Sequence, residues 1–330
     1  MRVIHVNAQA PERSALREAA ELLRGGGLVA FPTETVYGLG ANALDANAVD
    51  RIYQAKGRPP INPLIVHVST IAEARALTTN WTLAADRLAG AYWPGPITLV
   101  VRKAAHIPDI VTAGGDTVGL RVPGHPVALA LIEMAGVPIA APSANRSNQV
   151  SPTTAQHVAR GLAGRVDLVI DAGATTIGIE STVVDATGDV PRILRPGMIT
   201  RDAVARVAGS AEIAATASAG APRSPGLLER HYAPGARVVL FTPASRDAVM
   251  GDARVALDMG RRVGGMLFGG SEQTLTLQVT MPADPDGYAR ALYAALHQMD
   301  DAECDAVLIE LPPDTAAWAG VMDRLRRAAA

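Results

Sequence analysis

A chain of 330 residues with 48% hydrophobic and 19% charged residues has the balance of an ordinary globular protein, which excludes a disordered tether and leaves room for two domains. Its 30 lysines and arginines against 32 aspartates and glutamates give a formal charge of −2, so no basic field for nucleic acid surrounds it, and an aromatic share of 4% is too thin for a base-stacking platform. The single cysteine, Cys304, excludes an intrachain disulfide and a cysteine metal cage, while the absence of a basic-then-apolar leader and of any run of about 18 apolar residues predicts a cytoplasmic chain with no membrane span.

In chain order, Leu16, Ala19, Ala20 and Leu23 fall on one face of a helix over 11–24, and Gly25, Gly26 and Gly27 stop it. A strand over 28–31 follows and runs into Pro32 and the polar stretch Thr33, Glu34, Thr35. Short apolar runs at 64–68, 97–101, 118–122, 137–141, 168–170, 182–184 and 193–194 read as further strands. Helical stretches near 46–54, 71–77, 82–92, 126–135, 153–162 and 201–208 lie between many of them. Several strands follow one another directly, so the expected class is α/β with a twisted mixed sheet and flanking helices, not a purely doubly wound fold. Residues 209–236 shift to Ala, Ser, Gly and Pro and read as a linker. Beyond it, strands at 237–241, 264–268, 275–279 and 306–310 with helices near 286–299 and 315–328 predict a second, smaller α/β domain, giving the division 1–208, 209–236 and 237–330.

The densest chemical signal is KGRPPINPLIVHV at 56–68. Lys56, Arg58 and Asn62 stand beside a stiff Pro59-Pro60 turn, an arrangement suited to a polyanion. Neutralising a helix C-terminus is an equal reading of the two cations, and His67 alone suits a sheet position. In APSANRSNQVSPTTAQHV at 141–158, Ser143, Asn145, Ser147, Asn148 and Ser151 lie at a strand-to-helix junction that can receive phosphate or merely cap a helix. TVGLRVPGHP with Thr117 and Arg121, GIESTVVD with Ser181 and Thr182, and RILRPG with Arg195 add strand-end cations and hydroxyls, which suggests one rim of a sheet lined for an anion. Neither GxxxxGK[ST] nor GxGxxG occurs, and no His/Asp/Glu set has metal-ligand spacing.

Taken together, FPTETVYGLG, the 56–68 loop, WPGPITLV at 93–100, GLRVPGHP, APSAN, GIESTVVD and ILRPG closely resemble the threonylcarbamoyl-AMP synthase family, in its long form of a YrdC-like domain followed by a smaller, Rossmann-like C-terminal domain. SPGLLERHYAPG at 224–235 resembles that form's linker, with Leu227 and Leu228 departing from the expected pattern. The resemblance implies that L-threonine and bicarbonate or CO2 form an N-carboxylated threonine that attacks the α-phosphorus of ATP, releasing pyrophosphate. The threonylcarbamoyl-AMP then passes to a separate tRNA threonylcarbamoyl transferase. By position, it implies that Arg58, Asn62, Thr117, Ser143, Ser151, Arg195 and Tyr232 hold ATP, and that Thr35, His67, Arg121, Ala141 (through its backbone) and Ser181 hold threonine. Lys56, Arg58 and Asn145 would be the catalytic set. Mg2+ is expected with ATP, bound through phosphates and with no protein metal site. Arg230, His231 and Tyr232 suggest that the linker covers the site. Two rival readings are a double-stranded RNA or tRNA-binding module, disfavoured by the net charge, and a carbamoyltransferase of the same fold, which would need cysteines that this chain lacks.

Overall fold

The computed structural model describes residues 1–214, 231–270 and 274–330. The first part runs β1 (Arg2–His5), α1 (Arg13–Arg24), β2 (Val29–Phe31), β3 (Gly38–Asn42), α2 (Ala46–Lys56), β4 (Ile65–His67), α3 (Ile71–Ala76), β5 (Thr78–Asn80), α4 (Leu83–Tyr92) and β6 (Ile97–Lys103). It continues through α5 (Asp109–Thr112), β7 (Thr117–Arg121), α6 (Pro126–Ala135), β8 (Ile139–Ala140), α7 (Ala155–Gly161), β9 (Leu168–Asp171), β10 (Thr182–Asp185), β11 (Arg192–Arg195), α8 (Arg201–Ala208) and β12 (Glu212–Ile213). The second part is β13 (Arg237–Phe241), α9 (Arg246–Asp258), β14 (Val263–Leu267), β15 (Leu277–Thr280), α10 (Pro285–Asp301), β16 (Ala306–Glu310) and α11 (Ala319–Ala329).

Among the described residues, twelve strands form one mixed sheet ordered β1-β9-β2-β3-β8-β4-β7-β6-β10-β11-β12, with β5 beside β6. Its two faces are covered by separate apolar clusters. One is centred on Leu39, Ile52, Val66, Leu88, Leu99 and Leu120, the other on Leu16, Leu23, Phe31, Leu131 and Ile139. The α1 stripe anticipated from its period is fully buried. A second sheet, β13-β16-β14-β15, is parallel throughout, as expected where helices cover both faces. The expected fold class, a twisted mixed sheet with flanking helices plus a smaller α/β unit, holds.

The two sheets do not sit on independent cores. Tyr288, Leu292, Tyr293 and Leu296 of α10, with Leu325 of α11, share one cluster with Val36, Val150 and Ile179 from the first part and Tyr232 from the linker. The approach is close enough to require glycine twice. A Cβ on Gly178 would lie 2.4 Å from the Ala289 carbonyl oxygen of α10, and one on Gly320 of α11 would lie 2.8 Å from the Gly197 carbonyl carbon. The helices of the smaller unit thus pack directly on the GIEST and RPG segments.

Candidate active site

The 56–68 loop is launched by helix capping. Asp45 accepts hydrogen bonds from the Asn47 and Ala48 amides at 2.9 and 3.3 Å, and Gly57, at φ 60°, ends α2 in a left-handed turn that aims Arg58 away from the helix axis. Arg58 is only 7% exposed although it stands in a loop. Its Nη2 donates to the Pro63 carbonyl at 3.2 Å, while Nε has no hydrogen-bond partner among the described residues. Such an unmatched buried donor costs about 1–3 kcal/mol and points to a group that binds there.

Arg58 helps to line a narrow cleft. The other walls come from Thr33, Thr35, Ile65, His67, Arg121, Ala141, Ser143, Glu180, Ser181, Arg195, His231 and Tyr232. Strand register explains the convergence. Ile65 and His67 alternate onto one face of β4, His67 pairs with Arg121 of β7, and the Ala141 amide donates to the Ile65 carbonyl. Arg121 and Arg195 end β7 and β11, as the strand-end pattern anticipated, while Ser181 precedes β10 instead of ending a strand.

Electrostatically the cleft wall holds three guanidiniums and one carboxylate, Glu180, with a second carboxylate, Glu34, paired to Arg121. Arg121 donates from Nη2 to Glu34 Oε1 at 2.7 Å and to Thr35 Oγ1 at 3.0 Å, and from Nε to the Gly95 carbonyl at 3.2 Å. Arg195 holds the Ser181 carbonyl through Nη2 at 2.9 Å, and Ser181 Oγ lies 2.8 Å from Thr98 Oγ1. Burial, with Arg121 beside it, pushes His67 down to about 3, so the imidazole is neutral near pH 7. Burial likewise takes His231 to about 3 and raises the Tyr232 hydroxyl. Although burial alone would raise Glu180, Arg324 and Arg195 reverse this and hold it at about 2. Tyr232 is buried with a φ of 62°, an unusual value for a bulky residue.

The comparisons decide the family. A family model described as Telomere recombination matches residues 21–197, and one described as Threonylcarbamoyl-AMP synthase, C-terminal domain, matches 199–330. The threonylcarbamoyl-AMP synthase of Pyrococcus abyssi is 42% identical over 96% of this chain and 94% of its own length. The chain belongs to the threonylcarbamoyl-AMP synthase family. The Bacillus subtilis synthase is also 42% identical, over 95% of this chain and 92% of its own. The structure of P. abyssi Sua5 complexed with L-threonine superposes with a TM-score of 0.94 at 41% identity, covering all of this chain and 98% of that one.

Of the residues expected from family position, Thr35, Arg58, His67, Arg121, Ala141, Ser143, Ser181, Arg195 and Tyr232 meet at the cleft. The structure does not bring Lys56, Asn62, Thr117, Asn145 or Ser151 to its wall. Lys56 is buried, and its Nζ donates to the Ser143 and Asn145 carbonyls at 2.6 Å each, while Ser143 Oγ donates to Asn145 Oδ1 at 2.6 Å. These two residues pin the serine loop, and burial together with Arg58 draws the Lys56 ammonium well below its usual range. Ser151 Oγ donates to Glu180 Oε1 at 2.5 Å, Asn62 is buried with its carbonyl accepting from Tyr53 OH at 3.0 Å, and Thr117 begins β7, four residues before Arg121. Glu34 and Glu180 were not anticipated as site residues. Arg230 and the linker residues 215–230, with Leu227 and Leu228, lie outside the described residues.

Proposed function

We propose that this chain condenses L-threonine, bicarbonate or CO2, and ATP into threonylcarbamoyl-AMP and pyrophosphate. The observation that carries the reading is the cleft itself, where buried Arg58 and Arg195 face hydroxyls from three segments and neutral His67 lies beside Arg121. Nucleotidyl transfer needs alignment and charge stabilisation more than covalent help. Arg58 and Arg195, with Ser143 and Tyr232, would receive the triphosphate and stabilise charge as the carbamate oxygen attacks the α-phosphorus and pyrophosphate leaves. Asn62, Thr117 and Ser151 would then support the ATP end from behind the wall, and Lys56 and Asn145 would act by fixing Ser143. Thr35, His67, Ala141 and Ser181 would surround threonine. Arg121 would take its carboxylate through Nη1, which makes none of the bonds to Glu34, Thr35 or Gly95.

Among the described residues, no group of three or more His, Cys, Asp or Glu side chains could hold a metal ion. Glu34 and Glu180 are each paired with an arginine. Mg2+ would enter on the phosphates of ATP. The product would pass to a tRNA threonylcarbamoyl transferase, without strong direct binding of nucleic acid by a chain of charge −2. No helix among the described residues is long and apolar enough to cross a membrane. The division at 208 and 236 remains our proposal for the domain limits.

Incubating the protein with L-threonine, bicarbonate and ATP should yield pyrophosphate and a threonylcarbamoyl adenylate by mass spectrometry. Release of ADP and phosphate alone would refute the reading. Arg121 offers a finer prediction. Removing it alone strands Glu34 as an uncompensated buried charge, costing about 3–5 kcal/mol, so it is best replaced in an Arg121→Met, Glu34→Gln pair. That variant should fold and raise the KM for threonine about tenfold or more, with the KM for ATP changed much less. Equal damage to both would count against the threonine assignment.

A further inference from the structure

Glu180 is a carboxylate set inside a cation cluster meant for phosphate. It is 7% exposed, lines the cleft, and lies within electrostatic reach of Lys56, Arg195 and His231. Left to itself, such a side chain would turn toward the nearest guanidinium in the cleft and neutralise the charge that a triphosphate needs. In the structure it is held from the other side. Tyr293 OH of α10 donates to its Oε2 at 2.9 Å, and Arg324 Nε of α11 donates to the same oxygen at 2.9 Å. Ser151 takes the remaining oxygen.

Arg324 does more than pair a charge. Its side chain has no exposed surface. Nη2 donates to the Glu180 backbone carbonyl at 3.2 Å and Nη1 to the Pro196 carbonyl at 2.7 Å, so one guanidinium ties the segment bearing Ser181 to the one bearing Arg195. Its Cζ also sits 5.3 Å from the centre of the Tyr232 ring, within cation–π range. The glycine contacts at Gly178 and Gly320 place the backbones of α10 and α11 against the same two segments.

We propose that Arg324, with Tyr293, is a positioning residue for ATP. Supplied by the second sheet's helices, the pair draws the Glu180 carboxylate away from the arginines of the cleft and so keeps their charge available to the triphosphate. This rests on the assignment of the cleft to ATP and adds a part for the C-terminal unit in that site.

Calorimetric titration of the full chain with ATP, and separately with L-threonine, tests it. Arg324→Met should weaken ATP binding about tenfold, which corresponds to about 1.4 kcal/mol, and change threonine binding less than about threefold. Adding Glu180→Gln to Arg324→Met should restore ATP binding, because the competing negative charge is gone. Tyr293→Phe, which keeps the ring, should shift ATP binding in the same direction by a smaller factor, and it carries the test if Arg324→Met fails to fold. Unchanged ATP binding in Arg324→Met would overturn the inference. So would equal weakening of both ligands, or a double variant that regains thermal stability but not ATP binding. If the wild-type chain binds ATP yet makes no adenylate, the synthase reading fails while the titrations still decide the inference. If it binds no ATP, both fall.

Discussion

Replacing Arg58 by alanine is expected to lower threonylcarbamoyl-AMP formation by about 100-fold or more, the usual scale for removing a preorganised donor from developing charge. The same substitution should leave thermal stability unchanged or slightly improved. The physical reason is that the folded chain works to keep this cation where it is. Burial, together with Arg195, lowers its pKa, and Tyr53 and Tyr232 offset this only in part. Within the described residues its Nη2 has a hydrogen bond to the Pro63 carbonyl, whereas its Nε has no partner. Activity and stability should therefore move in opposite directions, the signature of a group held at a cost for function. Lysine should restore only part of the rate, since an ammonium cannot reproduce a planar fork. Measured turnover close to that of the wild type, or a marked fall in melting temperature, would show that Arg58 serves the fold instead.

Acidification should unfold this protein over a narrow range. His67 and His231 are both pushed down to about 3 and His157 to about 4, burial being the leading cause each time, with Arg121 adding to it at His67 and the stacked His297 at His157. Because these folded-state values lie below the ordinary value near 6.5, the unfolded chain takes up protons first. The stability they contribute is complete above about pH 6.5 and is lost as pH falls toward 3 to 4. Around pH 5 the unfolded state binds about two more protons than the folded one through His67 and His231, a loss of about 3 kcal/mol per pH unit, to which the partly exposed His157 adds less. Against a typical total of about 5–15 kcal/mol, that should bring unfolding within two or three units of neutrality. Glu180, held at about 2, adds its own loss only below about pH 4.5. Circular dichroism melts from pH 7 to 4 would test this, with His67→Gln reducing the slope by about one proton. A melting temperature flat down to pH 5 would refute it.

Much of the architecture could be read from periodicity. Leu16, Ala19, Ala20 and Leu23 announce α1, and the apolar runs at 64–68, 97–101 and 306–310 coincide with β4, β6 and β16 to within two residues. The exceptions have local causes. In β3, the alternation of Gly38, Leu39, Gly40 and Ala41 hides a strand behind glycines. One of them, Gly40, is required because a Cβ there would lie 2.7 Å from the Phe31 ring. In α9, Gly251 and five charged residues dilute the apolar stripe that Met250 and Ala253 carry to the interior. The cleft was legible in its cations and hydroxyls, because a polyanion demands those residue types wherever they stand. Its carboxylates were not. Glu34 meets Arg121 across 87 positions and Glu180 meets Arg324 across 144, and no local spacing encodes pairings of that span. The part of Lys56 was equally hard to read from spacing. A lysine beside an arginine looks like a second phosphate ligand until the carbonyls of Ser143 and Asn145 are seen to occupy it.

The backbone of Tyr232 has a mechanical consequence. At φ 62° a tyrosine sits about 1–2 kcal/mol above its relaxed conformation. It stays there because the Arg324 cation beneath its ring, Tyr293 at 5.8 Å and the Ala233 amide bonded to the Asn148 carbonyl together outweigh that strain. The residue is a wound spring in the wall of the cleft. A ligand that dislodges the ring would recover part of what it must spend, so the resting chain carries a small reserve toward opening in its own torsion angles.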